Sequence, residues 1–230
     1  MPHAHRPRIL LSCVALALAS CASESPSRPA PASAPAAVAI PAPAQARPRT
    51  PTPPPPAECE GSADFEAVWP RLRAHLEAGI EGLAPLIDPE RGVFVLDNPG
   101  AFVVPIHVSS LTEAAERVPK LRPEHYRWAC PELQTDRTPR YSCETEQWST
   151  RGCVLTSNPD LGIEGWYDLA WAYEVIPPGE ATANLEPARE ADRAIQVGVY
   201  ATDATLGFYF GRVGCAWRLL AINAVTPCSA

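Results

Sequence analysis

The sequence has no apolar run long enough to cross a membrane as a helix; the run from Ile9 to Ala19 stops at 11 residues, where about 20 are needed. It has no basic run either. With 26 acidic residues against 19 Lys and Arg, the formal net charge is −7, which disfavours binding to nucleic acid or to anionic lipid headgroups. The motifs G-x-S-x-G, H-E-x-x-H and the P-loop are all missing, which removes the nucleophile elbow, the zinc-protease helix and the phosphate cradle. No two cysteines have the close C-x-x-C spacing of a zinc site. Asn158, Asp160 and Glu164 place oxygens close together, but not at the intervals of an EF-hand loop, so a turn and a cap are the expected roles. Neither a metal nor a cofactor is implied.

What is present begins at the N-terminus. Arg6 and Arg8 precede the short apolar run, and small residues follow it, as in a secretory signal. The run closes on Leu18-Ala19-Ser20-Cys21, which resembles the processing site of bacterial lipoproteins. That resemblance implies a signal peptide over residues 1–20, a diacylglyceryl group on the Cys21 sulfur and a membrane anchor made of acyl chains. Ala22, rather than Asp, follows the cysteine and resembles the sorting pattern for retention in the outer membrane. Removing Arg6 and Arg8 takes the net charge from −7 to −9.

Residues 22–57 hold 12 of the 28 prolines together with 11 alanines. Such a segment cannot bury a core, and it reads as an extended tether that reaches on the order of 100 Å when fully stretched. Residues 58–230 then form one domain, large enough to bury roughly 70% of its unfolded surface.

Within that domain, Phe65, Val68, Trp69, Leu72, Leu76, Ile80, Leu83 and Ile87 recur at three- and four-residue steps and predict a helical stretch over 62–87. Pro70 marks an early turn or a kink, and Gly79 and Gly82 break off a second, shorter helix. Two β-rich runs flank Asp97-Asn98-Pro99-Gly100 and predict a hairpin or a strand, turn and strand, with Pro105 placing the second strand at an edge or a bulge. Ser110 and Glu113 have capping-box spacing for a short helix ending by Pro119. Residues 120–159 read as a stapled loop region with short strands. The middle segment GWYDLAWAYEVI, residues 165–176, suits a helix, though its β-prone aromatics also permit a strand. Ile195, Val197 and Val199 alternate in a strand, and a closing hairpin turns at Val213-Gly214-Cys215-Ala216.

This order predicts an α+β fold in which N-terminal helices pack on a curved, mainly antiparallel, disulfide-stabilised sheet. The opening FEAVWPRLRAHLEAG and the closing GFYFGRVGCAWRLLAI resemble the nuclear-transport-factor-like cone, a fold shared by ketosteroid isomerases and many bacterial secreted proteins. That resemblance implies a conical sheet with a pocket.

Six cysteines follow the lipidation site: Cys59, Cys130, Cys143, Cys153, Cys215 and Cys228. An even number in an exported domain predicts three disulfides with 15 pairings open. The short interval favours Cys143 with Cys153, the closeness of domain termini favours Cys59 with Cys228, and Cys130 is then left to Cys215.

His75, His107 and His125 lie within the domain, and only His107 sits in an apolar strand. With Asp97 or Asp88 it makes a candidate acid–base pair, set against the plainer reading of a structural histidine. Trp166, Trp171, Tyr173, Phe208, Tyr209, Phe210 and Trp217 supply core, or a lining for an apolar or sugar-like ligand. Three functions fit these observations. The first is a lipid-anchored envelope protein, joined to its membrane through Cys21, that binds an envelope protein or a small ligand; the second is an enzyme built around His107, and the third a structural envelope component.

Overall fold

The computed structural model describes residues 64–128, 130 and 132–228. The signal and lipidation sequence, the tether and Cys59 lie outside the described residues. Helix α1 spans Phe65–Glu77 and runs through Pro70, burying Phe65, Leu72 and Leu76. A 3₁₀ turn, Glu81–Leu86, follows and buries Leu83 and Leu86. Both agree with the predicted long and short helical segments.

The hairpin comes next, with β1 at Val93–Asp97 and β2 at Val104–Val108, paired antiparallel. Strand β2 is an edge strand, where the missing N–H of Pro105 is tolerated. Helix α2, Leu111–Arg117, starts as its capping box predicts: the Ser110 hydroxyl accepts from the Glu113 N–H at 3.3 Å. The Glu113 carboxylate reaches back one residue further than in the usual box, accepting from the Ser109 N–H at 3.3 Å.

Strands β3 (Leu133–Thr135), β4 (Tyr141–Ser142), β5 (Gln147–Trp148) and β6 (Cys153–Ser157) follow, then α3 (Ile163–Ala172), α4 (Pro178–Ala194), β7 (Ile195–Ala201), β8 (Leu206–Val213) and β9 (Ala216–Asn223). The main sheet has seven strands in the order β2-β1-β9-β8-β7-β6-β3; β4 and β5 form a separate ribbon. The β1–β9 and β3–β6 pairs are parallel and the other four are antiparallel, so the fold is α+β with a mixed, mainly antiparallel sheet.

Both faces of this sheet are covered. On one, Val93, Val95, Val199, Phe208, Phe210 and Ile222 pack with Phe65, Leu72 and Leu76 of α1 and Leu111 and Ala114 of α2. On the other, Phe94, Tyr209, Leu220 and Ala221 pack with Ile163, Tyr167 and Ala170 of α3 and Ala181, Ala188 and Ala191 of α4. A bulge in β9 aligns Tyr209 with Ala221 and Phe210 with Leu219, so the intervening Leu220 faces the α3–α4 side beside Ala221. The end of α4 lies so close on β8 that a Cβ at Gly211 would sit 2.1 Å from the Ala194 carbonyl oxygen, and only glycine fits there.

Helix α4 is the main departure from the expected order. Its Ala- and Glu-rich sequence favours helix, but it buries only alanines, so no stripe of large apolar residues announces it. Residues 120–159 hold the short strands expected there, and one of them, β6, becomes an interior strand by pairing with β7 over five residues.

The disulfide pairing expected from spacing is corrected. Cys130 joins Cys153 with Cα atoms 5.4 Å apart, and Cys143 joins Cys228 at 5.7 Å. Cys215 is also disulfide-bonded, but not to Cys130. The reason lies in the strands. Parallel pairing of β3 with β6 sets Leu133 beside Cys153 and carries Cys130 to it, while the β4–β5 ribbon holds Cys143 at its own turn. In the chain-entropy view, closing intervals of 23 and 85 residues stabilises the domain by about 3 and about 4 to 5 kcal/mol respectively.

The α3–α4 pair is tied at its start by Asp192. Its carboxylate accepts from the N–H groups of Ile163 at 3.0 Å and Glu164 at 2.9 Å, capping α3 from another helix. Burial raises the Asp192 pKa, and these two hydrogen bonds oppose the rise. Asp192→Ala is expected to destabilise the domain by about 1 to 2 kcal/mol in urea unfolding, with Asp192→Asn retaining part of the loss. Equal stability of the alanine variant would show that the cap contributes nothing.

Candidate functional site

His107 lies across from Phe94 in the β1–β2 pair, and its ring stacks on that phenyl at 4.3 Å with 9° between the planes. Each ring nitrogen faces an acceptor: Nδ1 is 2.8 Å from Asn184 Oδ1, and Nε2 is 2.7 Å from the Arg91 carbonyl oxygen. The Asn184 amide is itself oriented, its Nδ2 donating to the Glu180 carbonyl at 3.0 Å. Gly92 completes the arrangement, at φ +68° with its Cα hydrogens against His107 and Val108; a Cβ there would lie 2.4 Å from the Val108 oxygen. His107 therefore straps β2 to α4 and to the turn before β1.

No hydrogen bond joins His107 to either candidate carboxylate among the described residues. Side chains alternate along β1, so Asp97, three residues from Phe94, belongs to the opposite face of the sheet from His107. Asp88 Oδ1 accepts from the N–H groups of Glu90 at 3.0 Å and Arg91 at 3.2 Å, which makes it a turn residue. His75 Nδ1 is 2.8 Å from the Gly82 carbonyl oxygen and joins α1 to the 3₁₀ turn. Glu164 pairs with Arg189, and Asn158 holds a left-handed turn with φ of 47°.

Asp97 has a neighbour that sequence spacing did not suggest. Lys120, the one lysine in the chain, follows α2 on the same side of the sheet and donates from Nζ to the Ala224 carbonyl at 2.8 Å. Burial raises the Asp97 pKa, while the Asn98 N–H and the Lys120 charge pull it down. Burial likewise lowers the Lys120 pKa against the pull of Asp97. The two are complementary charges held near the end of β9, 23 residues apart in sequence, where no short-range pattern would link them.

The aromatic residues divide into core and surface. Tyr167, Phe208, Tyr209 and Phe210 are fully buried, and the Tyr200 and Tyr209 hydroxyls meet at 2.5 Å. The Tyr167 hydroxyl has no hydrogen-bond partner among the described residues, and burial beside Glu180 pushes its pKa up. Trp171 and Tyr173 are exposed, and Tyr173 rests against exposed Phe102 with ring centres 5.0 Å apart.

A groove lies where the 3₁₀ turn, α2 and the chain after α2 converge. It has a volume of about 610 Å³, an apolar lining that includes Ile80, Ala84, Ile87, Leu111 and Ala115, and polar walls at Glu81, Glu116, Arg122 and Glu124. A second hollow of about 420 Å³ adjoins it, sharing Ile80, Glu81 and Pro123 and extending to Glu77, Tyr126, Arg127 and Trp128. Both arginines are committed in part to backbone oxygens, Arg122 to Ala115 and Arg127 to Tyr126. Glu81, Glu116 and Glu124 take part in no ion pair among the described residues.

No protein-family model matches the sequence, and no curated protein or solved structure matches it.

The Asp97–Lys120 pair makes a pH prediction. Because folding raises the Asp97 pKa, the folded chain holds that proton longer than the unfolded chain, and stability falls as pH rises from the ordinary carboxylate range through the raised value. Lys120 acts in the opposite sense at alkaline pH, its lowered pKa adding stability as pH rises. Urea unfolding of Asp97→Asn should lack the acid-side decline. Lys120→Met should cost about 1 to 2 kcal/mol near neutrality by leaving a buried carboxylate without its cation. An unchanged acid-side slope in Asp97→Asn would refute the assignment.

Proposed function

We propose that the protein is a lipid-anchored component of the bacterial cell envelope, attached through Cys21 to the outer membrane, whose tethered domain binds a partner protein or small ligand. The anchor rests on Leu18-Ala19-Ser20-Cys21 and the tether on the proline and alanine content of residues 22–57. The reading includes a curved sheet of nuclear-transport-factor-like form, on the two sequences that resemble that fold. The observation that carries the binding role is the groove of about 610 Å³ with its apolar floor and its rim of Glu81, Glu116 and Glu124. An enzyme centred on His107 has less support, since both ring nitrogens are engaged and Asp97 lies across the sheet.

Two measurements on the full chain test this. In phase separation of a non-ionic detergent, the wild-type chain from a bacterial host should enter the detergent phase and Cys21→Ser the aqueous phase; equal partition of both would remove the anchor. The uncharged dye N-phenyl-1-naphthylamine should bind saturably, and Ala84→Trp, which fills the groove from an exposed position, should weaken binding at least fivefold at unchanged melting temperature. Dye binding indifferent to Ala84→Trp would rule the groove out as its site.

A further inference from the structure

The Cys130–Cys153 and Cys143–Cys228 disulfides differ in their surroundings. Cys130 and Cys153 are buried and pack with Ala201 and the half-buried Trp128 and Leu133, beside the interior strand β6. Cys143 and Cys228 are both exposed. Cys143 lies at the turn of the β4–β5 ribbon, which pairs only Tyr141 with Trp148 and Ser142 with Gln147 and is not hydrogen-bonded into the seven-stranded sheet. No residue from 140 to 149 is buried; Tyr141 and Trp148 are half-buried and pack ring to ring at 5.2 Å. A two-stranded ribbon of this size is marginal alone in water, so the bond to Cys228 is what fastens its tip.

The two ends of that bond are not equally held without it. On the C-terminal side, Asn98 donates from Nδ2 to the Thr226 carbonyl at 2.9 Å and accepts from the Thr226 N–H at 2.7 Å, and the Ala224 N–H donates to the Leu96 carbonyl at 2.8 Å. That segment stays beside β1 when the bond opens. The ribbon is anchored at its root, where the Thr150 hydroxyl donates to Asp136 Oδ2 at 3.0 Å. Its Trp148 closes a hollow of about 30 Å³, room for a water, over Tyr200, Thr202, Leu206, Gly207 and Asn223 at one end of β7, β8 and β9. Cys228 itself holds φ at 60°, a left-handed backbone that is unfavourable for a residue with a Cβ, and opening the bond lets it relax.

We infer that Cys143–Cys228 is a redox-sensitive clasp: an external dithiol opens it without unfolding the domain, and the freed ribbon takes Trp148 off the ends of β7, β8 and β9. One thiolate of the dithiol attacks a sulfur of the bond, and the displaced cysteine leaves as a thiolate that takes up a proton. The dithiol's second thiolate then attacks the mixed disulfide and displaces the other cysteine. The protein gains two electrons and two protons, and the dithiol becomes a disulfide. Cys130–Cys153 stays closed, because attack there requires opening a packed core. The clasp lies outside the groove between the 3₁₀ turn and α2 and does not depend on it.

Dithiothreitol added to the native full chain, quenched at intervals with N-ethylmaleimide and followed by peptide mass mapping, reads each cysteine separately. Cys143 and Cys228 should be labelled together, at least tenfold faster than Cys130 and Cys153, with the helical circular-dichroism signal unchanged. In the selectively reduced chain, amide hydrogen exchange over residues 140–149 should accelerate at least tenfold while β7, β8 and β9 keep their protection. Tryptophan emission should shift to the red on reduction of the wild type and not of Trp148→Phe. Because the folded protein is reduced in place, nothing rests on a cysteine variant folding.

Labelling of all four cysteines at one rate, or of none under native conditions, overturns the inference. So does selective reduction that leaves ribbon exchange or Trp148 emission unchanged, or that lowers the helical signal.

Discussion

The described structure depends on strand β8 being buried from both sides. Phe208 and Phe210 enter one core and Tyr209 the other, while β7 and β9 satisfy its backbone on either side. A strand in that position has no solvent face, so its polar groups must pair and its neighbours must bring helices to each side. Helices α1 and α2 cover one face and the α3–α4 pair covers the other. The bulge that turns Leu220 to the same side as Ala221 fits β9 to this double burial, because strict alternation would send one of these two residues to the opposite face.

This constraint explains where polar chemistry is found and what it does. His107, Asp192 and Lys120 each join elements at the borders of the two cores, and each is occupied by a backbone or amide partner. Groups so engaged hold the layers together and have little capacity left for a ligand. The groove lies apart from these borders, where the 3₁₀ turn, α2 and the loop after it meet without filling the space between them. Its acidic residues Glu81, Glu116 and Glu124 face solvent and close no ion pair among the described residues.

Local pattern revealed a good part of the fold. The apolar spacing of α1, the capping box of Ser110 and Glu113, the turn after Asp97 and the closing β8–β9 hairpin all depend on residues close in sequence, and all are present. Helix α4 escaped notice because alanines at Ala181, Ala188 and Ala191 pack closely without adding hydrophobic contrast. The His107–Asp97 pairing failed because strand alternation places residues three apart on opposite faces. Of the groove, Ile80 and Ile87 were visible as apolar positions, but their joining with Leu111 and Ala115 of α2 was not, since those residues come from a separate element.

Legible in the chain of residues alone are the charge balance, the resemblance of residues 18–21 to a lipidation site, the proline-rich character of residues 22–57 and the alternation that makes the closing strands. These follow from composition and from neighbours within a few positions. Tertiary structure alone decided that Cys130 meets Cys153 and Cys143 meets Cys228, that β1 lies parallel beside β9, and that Lys120 stands near Asp97. Each of these joins segments far apart in the chain. Their proximity is set by burying both faces of one sheet at once, a condition that no local window of sequence contains.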